Sequence, residues 1–323
     1  MELQVRPLGH PRRNVAAMAI AAIALVMVPG AATPPQFGTA APDPCMQAAK
    51  QVQKSCKQAA MADYWLAIGI CENITDPFER DACRGEAADD LKEALMECPE
   101  QFQARLDVCD QLGGGFYEPD IDPANFVAVI DNPYMPLIPG TTMIYEGRTS
   151  RGLERVEVEV TYETKDILGV TCTVVRDRGF LDGELTEDTD DWFAQDMEGN
   201  VWYFGEISKE YEDGELVDIE GSWKAGEDGA HPGIVMLAKP LLRQLYRQEY
   251  ALGEAEDVGR IIALNEMVSV PYGMFSMCRR TEDFSPIEPD AIENKLYAPG
   301  IGLVLEIDLE SGETIELIDI VYP

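Results

Sequence analysis

Thr186–Glu206, TEDTDDWFAQDMEGNVWYFGE, decides how the chain is read. Two aromatic-rich runs, Trp192–Gln195 and Val201–Phe204, flank a turn at Met197-Glu198-Gly199-Asn200. An acidic run, Glu187-Asp188 and Asp190-Asp191, comes first. Two short ring-bearing runs joined by a Gly/Asn turn make a β-hairpin. This hairpin lies near the middle of residues 125–323 and is expected to be the central element and nucleus of a large antiparallel sheet. Alternation puts Trp192 and Ala194 on one face and Phe193 on the other.

The surrounding sequence alternates in the same way. Val156, Val158, Val160 and Tyr162 share one face, and Glu157, Glu159 and Thr161 the other. Further strand-like runs occupy Thr141–Gly147, Gly169–Arg176, Val217–Trp223, Gln244–Ala251, Val258–Leu264, Met274–Arg280, Asn294–Tyr297, Gly302–Ile307 and Thr314–Val321. Turn signals punctuate them: Asp182-Gly183, Asp213-Gly214, Pro271-Tyr272-Gly273 and Ser311-Gly312. A short helix near Leu241–Arg247 is the one expected interruption. The pattern is that of an antiparallel meander, closed as a barrel or wrapped as a curved sheet.

Upstream of this region the character changes. Cys45, Cys56, Cys71, Cys83, Cys98 and Cys109 are spaced 11, 15, 12, 15 and 11 residues apart, a palindrome centred on Pro77. Residues 11 apart differ by about 20° around a helix and residues 15 apart by about 60°. Two antiparallel helices folded at Pro77 therefore bring mirror-related cysteines together as Cys45–Cys109, Cys56–Cys98 and Cys71–Cys83. Asp76, Pro77 and Glu79 form a helix start, Asp43-Pro44 repeats it, and Gly113-Gly114-Gly115 ends the second helix. Pro99 is expected to kink or break that helix. The segment has no His and no Cys-x-x-Cys pair, which speaks against zinc and redox chemistry. Residues 43–112 thus read as a stapled helical hairpin, 113–124 as a linker and 125–323 as the β domain. The expected class is α+β. Cys172 and Cys278, both in strand-like runs, are expected to form a fourth bridge.

The first 32 residues carry Arg6, Arg12 and Arg13, an apolar run Val15–Val28 and the small residues Pro29–Ala32. This is the layout of a secretory signal, followed by a flexible leader at 33–42. It implies export to the periplasm or the exterior, where disulfides persist, with no stable membrane span after cleavage. The formal charge of −34 repels nucleic acid and anionic headgroups. It keeps an exported protein soluble and favours cationic partners.

Specific chemistry is sparse. His231, in Gly229–Gly233, is the sole His after the leader, and no Gly-x-Ser-x-Gly elbow accompanies it. Calcium, which takes hard oxygen ligands, is the metal considered, with Asp188, Asp190, Asp191, Asp196 and Glu198 as ligands. Trp192, Trp202 and Tyr203 are candidates for contact with a sugar ring or acyl chain, and Arg247, Glu249 and His231 for a polar ligand site.

Trp192–Asp196 followed by Gly199–Glu206, together with Gly221-Ser222-Trp223 and Asp228–Gly233, resembles a family of exported bacterial β-rich proteins with a WFAQDxxGNVWYFGE-type motif. Tyr297–Val304 resembles a closing strand of secreted β-meander proteins. The resemblance spans about residues 125–308. The family has no established activity, so it implies an exported bacterial β protein and supplies no catalytic residues. The functional expectation is a binding or structural protein of the bacterial envelope or exterior, with calcium, a lipid or glycan, or a protein as ligand. The alternative is a carboxylate-dependent extracellular hydrolase, which requires two inward carboxylates, one with a raised pKa.

Overall fold

The computed structural model describes residues 43–323; the signal and leader expected over 1–42 lie outside them. Helix α1 spans Pro44–Glu72 and α2 spans Pro77–Leu112. Asp43 caps α1, and the Asp76 carboxylate accepts from the Phe78 and Glu79 amides at the start of α2. Gly113, at φ 88°, closes α2 in the left-handed conformation that glycine tolerates. The three mirror-related disulfides are present: Cys45–Cys109, Cys56–Cys98 and Cys71–Cys83. Pro99 does not break α2, which continues through it; the preceding residue is pinned to α1 by the Cys56–Cys98 bridge. Few hairpin side chains are buried, with Ala49, Ala60 and Cys71 in α1 and five more in α2. Cross-links therefore replace much of the packing that would otherwise hold two helices together.

A 3₁₀ turn at Pro123–Asn125 leads into the strands. These are β1 (Phe126–Val127), β2 (Thr142–Arg148), β3 (Leu153–Ile167), β4 (Val170–Leu181), β5 (Glu184–Asp196) and β6 (Val201–Ile207). Short strands follow: β7 (Glu210–Glu212), β8 (Glu215–Asp218), β9 (Trp223–Lys224), β10 (His231–Met236), β11 (Leu245–Arg247) and β12 (Glu249–Tyr250). The chain closes with β13 (Val258–Val270), β14 (Gly273–Phe284), β15 (Ile292–Ala298), β16 (Gly302–Asp308) and β17 (Thr314–Val321).

All pairings are antiparallel. One run passes β2-β3-β4-β5-β6-β10, and the other passes β13-β14-β15-β16-β17 back to β2. Strand β10 pairs with β12 and β11 with β13, so the sheet is nearly closed and barrel-like. The β5–β6 hairpin has the expected turn. The Asp196 carboxylate accepts from Asn200 N, Asn200 Nδ2 and Trp202 Nε1, each at 2.8 Å, which fixes the loop.

Four expectations change. The Val156–Tyr162 face does not persist: a register shift follows Val160, and Tyr162 emerges 76% exposed. Leu241–Arg247 is not helical; Arg243 sits at φ 67° in a turn and Leu245 begins β11. Val217–Trp223 is not one strand but the end of β8, a turn and the start of β9. Cys172 and Cys278 are free, buried thiols rather than a bridge. They lie on β4 and β14, with β15, β16, β17, β2 and β3 between them in the sheet. Burial pushes both thiols up, Cys172 to about 12, which disfavours the thiolate.

The hairpin root is docked on the barrel. The Arg105 guanidinium donates to both Glu256 oxygens, with Nε at 2.8 Å from Oε2 and Nη2 at 2.8 Å from Oε1. Both side chains are almost fully buried. Tyr117, just after α2, adds a second tie, its Oη donating to Pro232 O at 2.9 Å.

Candidate ligand-binding cavity

The barrel interior holds a cavity of about 280 Å³. Cross-strand register sorts its lining into layers. On β15 and β16, Tyr297 faces Leu303, Lys295 faces Glu306 and Glu293 faces Asp308. On β4 and β5, Thr173 faces Phe193, Val175 faces Asp191 and Asp177 faces Thr189. On β14 and β15, Thr281 faces Lys295 and Asp283 faces Glu293. Partners directly across an antiparallel pair share a face. One layer is thus apolar and aromatic, completed by Met135, Leu137, Met143 and Val158. The next is polar, with Asp177, Asp191, Asp283 and Lys295, and with Glu249 and Asp257 from the β12–β13 side.

A bulge places the most unusual group. Asp191 pairs with Glu206 and Phe193 with Tyr203, so Phe204 and Gly205 together oppose Trp192. Without the extra residue, positions 203 and 206 would point to opposite faces; with it both turn inward. Gly205 adopts φ 124°, and a Cβ there would lie 2.2 Å from Trp223 O on β9, so this position requires glycine. The result is that Tyr203 Oη donates to Asp191 Oδ1 at 2.5 Å and lies 2.9 Å from Glu206 Oε2, while Glu206 also hydrogen-bonds Asp191.

Electrostatics follow from crowding acids together within the barrel wall. Burial, reinforced by Glu187 and Glu306, pushes Asp177 up to about 7. Burial also raises Glu206 to about 7, against the opposing hydrogen bond from Tyr203. Asp191 and Glu249 rise well above the ordinary carboxylate range, chiefly from burial and then from neighbouring acids. Asp257 and Asp283 rise for the same first reason. Lys295 is held charged by Glu306 and Glu293, its Nζ lying 3.6 and 3.2 Å from their oxygens. Asp283 Oδ1 is buried without a hydrogen-bond partner, although Oδ2 accepts from Gln248 Nε2 at 3.3 Å.

A second cavity of about 580 Å³ adjoins Glu206 and is lined by Trp192, Trp223, Lys165 and Lys224. Lys165 Nζ sits 3.4 Å above the Trp192 ring. Asp191 and Tyr203 border the first cavity and Glu206 the second, so this hydrogen-bonded trio stands between the two.

The residues singled out from sequence disperse. Glu249 and Tyr203 line the barrel cavity, and Trp192 lines the neighbouring one. Trp202 packs against Phe126 on the other face of β6. Arg247 faces the hairpin seam, stacked over Tyr250 and Tyr117 with Nη2 3.8 Å from Cys45 Sγ. His231 packs edge-on to Tyr117. The calcium candidates are not brought together. Asp188 holds Arg176 at 2.6 and 2.7 Å, Asp190 lies 3.6 Å from Lys209, Asp191 points into the barrel, Asp196 caps the turn and Glu198 is exposed. Among the described residues no three His, Cys, Asp or Glu side chains are placed to hold a metal ion. Asp177, Asp257, Asp283 and Lys295 were not anticipated. In sequence Asp177 sits between Arg176 and Arg178, which reads as a solvated ion-pair run; alternation sends the two arginines outward to Asp188 and Glu157 and the aspartate inward.

Fold and site together define a stapled α-hairpin on a small β-barrel with an acid-lined chamber. The chain matches no family model and no curated protein. Among solved structures it is similar to one described as a "putative lipoprotein" from Parabacteroides distasonis, at 13% identity and a TM-score of 0.33, covering 58% of this chain and 98% of that one.

Proposed function

We propose that this is an exported protein of the bacterial envelope or exterior that binds a small organic molecule inside its barrel. The observation that carries this reading is the 280 Å³ chamber with an apolar layer against a polar one. Its volume lies just below the range of about 300–1,000 Å³ occupied by drug-sized ligands. Three disulfides are consistent with an oxidising compartment, as is the signal-like sequence of residues 1–32. Native mass spectrometry of protein purified from its own host, with and without chelator, tests the reading. An organic adduct that survives chelation is expected. A bare chain, or an adduct removed by chelation, combined with no thermal shift across a small-molecule panel, overturns it.

The hydrolase alternative asks for two inward carboxylates, one with a raised pKa, and the acids lining the chamber meet that description; the hydrogen-bonded pair Asp191–Glu206 does not suit it. Glycosidase carboxyls stand roughly 5–9 Å apart with the sugar between them. Here both reach one phenol oxygen and each other, leaving no room for a scissile bond. That pair is therefore no glycosidase dyad, and turnover of a glycoside panel by the purified protein is the result that would favour the alternative over binding.

A further inference from the structure

Building on that reading, we infer that the barrel chamber takes a small organic cation: an ammonium group on a short apolar body, its charge among Asp283, Glu249, Asp257 and Asp177 and its body against Met135, Leu137 and Leu303. The argument begins with charge. Five carboxyl groups line the chamber, and the single cation among the lining residues is Lys295. That lysine is already committed to Glu293 and Glu306 behind it. Asp283 Oδ1 is buried with no hydrogen bond of ordinary geometry, the neighbouring Thr281 hydroxyl and Lys295 acting on the carboxyl only from nearby. Buried carboxylates of this kind must either keep a proton or acquire a positive partner. A proton leaves the acceptor capacity half used; an ammonium donor fills it and removes the repulsion among the acids. The aromatic walls suit the same guest. Phe193 and Tyr203 stack at 4.7 Å, and Tyr145 and Tyr297 complete the ring lining; aromatic faces attract cations. The opposite layer carries no charge, so a guest charged at both ends does not fit it.

The acids make binding pH-dependent. Asp177 is faced by Tyr145 of β2, Glu187 of β5, Glu206 of β6, Lys295 of β15 and Glu306 of β16. Asp191 is faced by Asp177, Glu187, Tyr203 and Glu206. A cation that requires one of these carboxyls to ionise displaces its proton. For a group titrating near 7, affinity then rises about tenfold from pH 6 to pH 8.

The test uses the full chain and three matched probes: n-hexylamine, n-hexanol and hexanoate. Hexylamine stays charged throughout this pH range, as a lysine side chain does. Calorimetry is expected to show hexylamine binding most tightly, with proton release visible as a buffer-dependent enthalpy and tighter binding at pH 8 than at pH 6. Asp283→Asn is expected to weaken hexylamine at least tenfold and leave hexanol unchanged. Because this variant exchanges a buried acid for its amide, thermal melting of the unliganded protein confirms that it folds. Binding of hexanol or hexanoate as tight as the amine overturns the cation assignment and leaves the chamber as a binding site. No binding by any of the three overturns both.

Discussion

The helical hairpin and the barrel solve the stability problem in opposite ways. The hairpin buries few side chains and relies on three covalent cross-links. Its surface remains free: Trp65, Leu66, Ile70 and Phe78 are all more than half exposed. The barrel has a continuous apolar core that includes Val160, Val201, Phe204, Val304 and Leu317. With that core in place it tolerates an interior crowded with acids, each of which is costly to ionise. The lesson is that costly chemistry sits where packing supplies a surplus, whereas the element without a core is locked covalently.

The seam between the two is the most sensitive point. Arg105→Ala strands the buried Glu256 carboxylate and should cost about 3–5 kcal/mol. Urea denaturation measures it, and a loss below about 1 kcal/mol would show that the docking is not electrostatic. Next is the hairpin itself. Cys56→Ser with Cys98→Ser should cost about 2–4 kcal/mol, seen as early loss of helical circular dichroism while the β signal persists. Simultaneous loss of both signals would mean that the barrel depends on the hairpin. Gly205→Ala attacks the barrel's bulge and should cost roughly 1–3 kcal/mol. It should also abolish the pairing of Tyr203 with Glu206, visible as a shift in tyrosine absorbance.

Asp177→Asn probes the chamber's charge. The folded carboxyl titrates near 7, above its unfolded value, so the native state holds the proton more tightly. Stability from this group is fully present below about pH 4, falls as pH rises towards 7, and is flat beyond; the slope approaches about 1.4 kcal/mol per pH unit. The amide should therefore raise stability at pH 8 and leave it unchanged at pH 4. Equal effects at both pH values would place Asp177 in contact with bulk water. The smallest effect belongs to the hairpin tip, where Phe78→Ser should change stability by no more than about 0.5 kcal/mol. A larger loss would reveal a contact made in solution.

The hairpin was almost fully legible in the sequence. The cysteine palindrome around Pro77 gives helix length, antiparallel direction and pairing together, because helical phase is regular over that span. The β region was legible as strands and turns, since Asp182-Gly183, Asp213-Gly214 and Ser311-Gly312 all fall between paired strands. The chamber was not. Which face of a strand is inside depends on register, and bulges at Val160 and Gly205 reset it part-way along. Asp177 and Lys295 belong to runs whose composition suits a surface equally well. The Cys172–Cys278 bridge failed for a related reason: strand identity does not say how many strands lie between two positions.

Glu256 and Asp257 are neighbours along the chain, yet they serve different clients. The first grips Arg105 at the foot of the hairpin; the second borders the chamber. A single peptide unit therefore joins the foot of the hairpin to the wall of the chamber. A force applied at the Pro77 end of α2, about 42 Å from Arg105 at 1.5 Å per residue, would be delivered one residue from the chamber wall. By thermodynamic reciprocity, a ligand that displaced Asp257 would alter how firmly α2 is seated.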